Sequence, residues 1–133
     1  MAQTTEKVPG LLKIENLSVS VPQSGNTTIL EVPVEDISFL GVELDVSSFL
    51  LDAFIVQGMM HPNGSFSTLY SSAGSYTTPA GLIVGASGDL TALAAGAHGW
   101  LLLNVLPLYA VRIQVSSGNA AGSTVTTRAI GKN

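Results

Sequence analysis

The sequence predicts an all-β fold, an antiparallel β-sandwich or jelly roll of about eight strands with at most a short helical turn. Three observations predict it. Apolar residues recur at every second position through most of the chain, which is the period of a strand and not of a helix. Turn residues divide these runs at short intervals, as in "HPNG" at 61–64 and "GNAAG" at 118–122. A chain of 133 residues suits one hydrophobic core, and no internal repeat is present that would make a solenoid.

Taken in order, "LLKIENLSVSV" places Leu17, Val19 and Val21 on one face of a first strand. The next segment alternates at Ile29, Val32, Val34, Ile37, Phe39 and Val42 and reads as two strands, about 27–34 and 37–45. Pro33 and Gly41 interrupt it in the manner of an edge, a bulge or a bend. Residues 51–71 read as a hairpin around "HPNG", with Phe66 and Leu69 as inward anchors of the return strand. From 72 to 97 the chain is rich in Gly, Ala, Ser and Thr and reads as a long connection, with a helical turn at Asp89 to Ala95 capped by Ser87 or Asp89. A strand over 99–105 opens with Trp100 at the head of an apolar run, which favours a core position for the indole. After a break at Pro107, residues 108–116 turn Tyr109, Val111, Ile113 and Val115 inward and Arg112 outward. Residues 123–131 return as the second arm of a closing hairpin, with Val125 and Ala129 inward and Thr124, Thr126 and Arg128 outward. Arg112 and Arg128, on polar faces of strands expected to be adjacent, should form structural ion pairs with carboxylates.

Composition excludes several functions. There is no cysteine, which removes disulfides, thiolate zinc sites and cysteine nucleophiles. No Lys or Arg occurs between residues 14 and 111, whereas Glu15, Glu31, Glu35, Asp36, Glu43, Asp45, Asp52 and Asp89 do, so this body repels phosphate backbones and argues against nucleic-acid binding. The most apolar stretch, "LTALAAGAHGWLLLNVLPLYAV", is broken by Gly, His and Pro and makes a poor bilayer span. The opening "MAQTTEKVPG" lacks the basic end and unbroken apolar run of a secretory signal, so a protein made and used without secretion is expected. Charged residues are 11 per cent of the chain, against about 25 per cent in ordinary soluble domains. Such a chain is expected to hide part of its surface against other chains.

The search for chemistry finds little. His61 and His98 are the only histidines, and nothing in the sequence fixes a third metal ligand beside them. Glu31, Glu35, Asp36, Glu43 and Asp45 form no calcium loop of alternating carboxylates, and an acidic outer face accounts for them. No G-x-S-x-G elbow occurs, and "GLIVGASG" lacks the lysine that follows in a phosphate loop. A non-enzymatic protein without metal or cofactor is expected.

The elements from "AFIVQG" onward carry a resemblance. A strand ending in Val56, Gln57 and Gly58, the run Phe66 to Leu69, the strand Gly99 to Val105, the run Tyr109 to Ser116 and the closing "GSTVTTRAIG", Gly122 to Gly131, together resemble the small β-sandwich structural proteins of tailed bacteriophages, namely the decoration, cement or auxiliary proteins of the head. The resemblance covers about residues 51–131 and is a pattern of strands and turns. It implies a protein that binds the major capsid protein lattice and stabilises the phage head on its outer surface, after synthesis in the host cytoplasm. It also implies a homo-oligomer, commonly a trimer at threefold positions.

Residues 1–13 are expected to be an N-terminal arm ahead of a single domain over 14–133, because "MAQTTEKVPGLLK" is polar, then kinked, then apolar. Thr4, Lys7, Val8, Leu11, Leu12 and Lys13 are its candidate capsid contacts. The rival reading is a phage tail-associated or carbohydrate-binding module that recognises a surface glycan through Trp100, Tyr70 and Tyr76.

Overall fold

The computed structural model describes residues 4–8, 10–22, 25–46, 53–71, 83–86, 98–106, 108–116 and 123–133. These form ten strands: β1 Thr4–Val8, β2 Leu11–Val21, β3 Thr27–Pro33, β4 Phe39–Val46, β5 Ala53–Met59, β6 Ser67–Ser71, β7 Ile83–Ala86, β8 His98–Asn104, β9 Ala110–Ser116 and β10 Ser123–Lys132. One sheet has the order β1-β2-β10-β4-β8-β7 and the other β3-β9-β5-β6, with every pair antiparallel. No helix is long and apolar enough to cross a membrane among the described residues.

The pairing is that of a long hairpin rolled up. Counting outward from the turn at 61–64, β5 pairs β6, β4 pairs β8, β3 pairs β9 and β2 pairs β10. Rolling this ribbon adds the contacts β9 with β5 and β10 with β4, which close the two four-stranded layers of a jelly roll. Strands β1 and β7 then extend the first layer at both edges.

Period-two patterning drives the layers together. Leu12, Ile14, Val21, Leu40, Val42, Leu44, Leu101, Leu103, Val125 and Ala129 come from the six-stranded sheet, and Ile29, Leu30, Val32, Phe54, Val56, Val111, Ile113 and Val115 from the four-stranded one. In β4 the alternation is complete, with Leu40, Val42, Leu44 and Val46 buried and Phe39, Gly41, Glu43 and Asp45 on the outside. Between β2 and β10 the register slips, since Leu17 opposes Thr127 and Ile14 opposes Ala129. Glu15 and Asn16 thus face Arg128 alone, a bulge that restores the inward phase of Leu12 and Ile14.

Turn chemistry fixes the reversals. Gly64 N–H donates to His61 O at 2.8 Å, with Pro62 and Asn63 between them. Ile37 N–H donates to Val34 O at 3.0 Å around Glu35 and Asp36. Gly10, at φ 77°, joins β1 to β2, a left-handed conformation that glycine adopts without a Cβ penalty.

Six sequence expectations change, the first being the inward turn of Tyr109, which is half-buried outside the core while Leu108 and Ala110 on either side of it are buried. The closing hairpin does not form: β9 lies in the four-stranded sheet and β10 in the other, because each has one apolar face and each fills the centre of its own layer. Trp100 is not in the core but 43 per cent exposed, since alternation along β8 turns Leu101 and Leu103 inward. Phe66 lies on the outer face of the four-stranded sheet under the Arg112 guanidinium, while Leu69 packs against the core as expected. Gly41 makes neither bend nor bulge, its two neighbouring registers being continuous. Residues 83–86, within the expected long connection, form β7. The expected helical turn at 89–95 and the turn at 118–122 lie outside the described residues.

Candidate functional site

The outer face of the six-stranded sheet is the most distinctive surface of the protein. Register arranges its side chains in rows across β2, β10, β4 and β8. One row runs Lys13, Ile130, Gly41, Leu102; the next holds Arg128, Glu43 and Trp100; a third holds Lys132, Phe39 and Asn104. Beyond Arg128 the face becomes hydroxylic, and the Ser18 and Thr126 hydroxyls meet at 3.0 Å.

Gly41 shapes the middle of this face. It stands between Ile130 on one side and Leu102 on the other and contributes no side chain, so the sheet dips there. The resulting groove, of about 520 Å³, is walled by Trp100 and Leu102 on β8 and by Ile130 and Arg128 on β10, with Lys13 and Glu15 at its far rim. Ile130 is 44 per cent exposed and Phe39 46 per cent, so with Trp100 three large apolar side chains face outward on one sheet. Burial of the alternate residues explains why such a face can exist at all. The core is already complete on the other side.

Lys13, Glu15, Arg128, Glu43 and Asp45 on this face are paired within the chain. Arg128 Nη2 donates to Asp45 Oδ2 at 2.5 Å, and Arg128 Nε lies 3.5 Å from Glu43 Oε2. The hydrogen bond to Asp45 is the main reason the guanidinium is held above its ordinary value; burial opposes it, and the charge of Asp45 and the contacts with Glu43 add to the rise. Lys13 Nζ lies 2.8 Å from Glu15 Oε1, two residues along the same strand face.

The four-stranded sheet presents a polar face instead. Arg112 Nε donates to Gln57 Oε1 at 2.7 Å, Arg112 Nη1 lies 3.7 Å from Glu31 Oε1, and the guanidinium carbon stands 4.3 Å from the Phe66 ring centre. Gln57 in turn donates to Thr68 Oγ1 at 3.2 Å, and Gln114 to Thr28 Oγ1 at 3.1 Å. Arg112 and Arg128 therefore both meet carboxylates, on opposite outer faces of the sandwich.

The other candidates do not converge. Thr4, Lys7 and Val8 lie in β1, and Leu11, Leu12 and Lys13 lie in β2, so all six belong to one edge hairpin of the six-stranded sheet, with Leu12 in the core. Tyr70, on β6, packs against the core and is on the other sheet from Trp100, while Tyr76 lies outside the described residues. Among the acids, Glu31 is on the four-stranded sheet, Glu35 and Asp36 are in a turn, and Glu43 and Asp45 surround Arg128. No group of three or more His, Asp or Glu stands close enough to hold a metal ion among the described residues. Sequence reasoning missed the Gly41 groove, although the signal was present: a glycine at an outward position of a strand, flanked by Phe39 and Glu43 on the same face.

The fold and this face define a jelly-roll β-sandwich with an apolar, internally neutralised outer layer. No family model and no curated protein sequence matches the chain. Among solved structures it is similar to the SPBc2 prophage-derived protein YomS, with a TM-score of 0.56 and 14% identity over 98% of this chain and 99% of that one. It is also similar to a Bacillus endospore appendage subunit, from a family of disulfide-linked pili, with a TM-score of 0.51 and 12% identity over 100% and 91% of the two chains. A third is the K2 cleaved adhesin domain of Lys-gingipain, at TM-score 0.50 and 9% identity over 99% and 100%. At these identities the likeness is one of fold.

Proposed function

We propose that the protein is a non-enzymatic structural protein of a bacteriophage virion, a decoration protein that binds the major capsid protein lattice on the outside of the head, associates with itself and stabilises the shell. The observation that carries this reading is the pairing of a jelly-roll framework with a broad apolar face, Phe39, Trp100, Leu102 and Ile130, whose charges are neutralised from within. That is a surface made to be covered by protein. The likeness of the whole chain to a prophage-derived protein supports the same assignment. A protein that binds only the assembled shell shifts the equilibrium toward that shell by mass action. Edge strand β1, whose outer side pairs with no strand among the described residues, offers the second contact, toward the capsid.

Immunogold labelling of purified virions tests the reading. Gold over the heads supports it, and gold confined to the tails overturns it. Deletion of residues 1–8, which removes β1, is expected to abolish head labelling while the remaining sandwich still melts cooperatively. Full labelling after that deletion would overturn the role of the edge strand.

A second reading, glycan recognition by a tail-associated module, is favoured by the exposed Trp100 beside Arg128 and Glu43. Tyr70 gives it no help, being on the other sheet. A glycan-array signal lost in Trp100→Ala would establish it in place of the first.

A further inference from the structure

We infer that the outer face of the six-stranded sheet is the surface on which a second copy of this chain docks, with Ile130 of each copy seated in the groove over Gly41 of the other. The inference deepens the self-association in the proposal above, and it rests on three features of one face.

The first is shape. Gly41 and Ile130 are direct neighbours in the β4–β10 register, one a gap and the other a projecting side chain. Take a two-fold axis that lies in the plane of the interface, parallel to the strands and midway between β4 and β10. It exchanges the two strands, so that β10 of each copy lies over β4 of the other. Each Ile130 then faces a Gly41, and each gap receives a knob. A Cβ built on Gly41 makes ordinary contacts, with the Ile130 carbonyl oxygen at 3.7 Å and Ile130 Cγ2 at 3.8 Å, so the gap over Gly41 has room for apolar atoms without a clash.

The second is charge. The same operation lays Arg128 of each copy over Glu43 of the other, because these two residues also oppose one another in register. Across β2, β10 and β4 the face carries Lys13, Arg128 and Lys132 against Glu15, Glu43 and Asp45, three of each sign. The rest of the chain, with two cations and six carboxylates, holds the entire net charge of −4. Two acidic chains therefore meet through this face without like-charge repulsion, which opposes their meeting elsewhere.

The third is extent. Six strands about 4.8 Å apart, most of them seven or more residues long, span on the order of 700 Å², close to the roughly 800 Å² per partner of a standard interface. Face-to-face packing of two such sheets sets them about 10 Å apart, which the Trp100 and Ile130 side chains fill. The contact is isologous and hence two-fold, in place of the threefold arrangement that the sequence resemblance implies.

The test uses the full chain and its lack of cysteine. Sedimentation equilibrium of the unmodified protein is expected to show a dimer, and a monomer throughout the micromolar range overturns the inference. Gly41→Phe fills the gap from within, and Ile130→Asp puts a charge on the knob at an exposed position. Each is expected to weaken dimerisation on the order of thirtyfold or more, as loss of a central anchor does, with an unchanged circular dichroism spectrum. Ile130→Asp serves where Gly41→Phe fails to fold. Mixed single variants Gly41→Cys and Ile130→Cys are expected to be joined as a heterodimer by a short bis-maleimide, since facing sheets about 10 Å apart are too distant for a direct disulfide. A dimer indifferent to these changes lies on another face and sinks the inference, leaving the decoration reading untouched; absence of head labelling sinks that reading and leaves the dimer intact. Binding of an oligosaccharide to the Trp100 face that competes with dimerisation overturns the self-docking assignment.

Discussion

Arg112 stands over the ring of Phe66, its guanidinium carbon 4.3 Å from the ring centre, and points its Nε–H at Gln57 Oε1. The pair ties the hairpin loop before β6 to the central strand of its sheet. A planar guanidinium can stack and donate at once; an ammonium cannot do both in this geometry. Arg112→Lys is therefore expected to lower stability by about 1 kcal/mol, read as a lower urea midpoint with an unchanged slope. A double-mutant cycle of Phe66→Ala with Arg112→Ala should return a coupling of about 0.5–1 kcal/mol. An additive cycle would dismiss the stack as incidental.

Thr127 is a fault in the core. It is fully buried between Leu17 and Leu44, and its Oγ1 has no hydrogen-bond partner among the described residues. Replacing that hydroxyl with a methyl removes an uncompensated desolvation at nearly constant shape. Thr127→Val is expected to raise stability by about 1–2 kcal/mol in chemical denaturation. A loss of stability would mean that the hydroxyl has a partner in solution.

Three glycines should respond differently to alanine. A Cβ on Gly58 would lie 2.7 Å from Leu69 Cδ1 and 3.0 Å from Leu108 Cδ2, so Gly58→Ala forces two packed leucines to move. The expected loss is about 1–3 kcal/mol. Gly131→Ala meets Ile37 Cγ2 at 2.8 Å and falls in the same class. At Gly41 the added methyl finds ordinary contact distances, and Gly41→Ala is expected to be neutral or mildly stabilising by a few tenths of a kcal/mol, since glycine weakens a strand interior. Thermal melts of the three variants side by side would expose any reversal of this order.

The Arg128 cluster is half open to water, so its contribution is small. Arg128→Met is expected to cost under about 1 kcal/mol, less in 1 M salt than at low ionic strength. A group whose folded value is raised stabilises the fold below its unfolded value and loses that contribution as pH rises through the folded one. For Arg128 that window lies in strong alkali, so the difference between Arg128→Met and the parent should be flat in pH across the neutral range as far as the guanidinium is concerned. A difference that grew between pH 6 and 9 would point to another group.

Much of this was legible in the sequence, for one reason: period two separates inside from outside wherever a strand has one wet face. Leu40, Val42 and Leu44, and Val111, Ile113 and Val115, were readable residue by residue. Partnership was not readable. Residues 108–116 and 123–131 look like a hairpin because they are consecutive and alternate, yet alternation carries no record of which sheet a strand joins. Trp100 was misplaced because the run Trp100 to Leu103 is apolar on both faces, and only the burial of Leu101 and Leu103 fixes its phase. The bulge at Glu15–Asn16 had a visible signal in the step from Ile14 to Leu17, three residues where two would continue the pattern. The Gly41 groove required knowing that Ile130 and Leu102 flank that position from strands far away in the chain.

Ser18 and Thr126, whose hydroxyls touch, are 108 residues apart in the chain. That distance follows from nesting β2 with β10 and β3 with β9, and it sets the order of events during synthesis. β10, the ten-residue strand made after all the others, is the central partner of both β2 and β4, so neither of them can close its side of the layer before β10 exists. Folding of a topology with such distant pairings is slow. Until then β2 and β4 expose unpaired edges to any similar strand nearby, and the low charge of the chain does little to keep such strands apart.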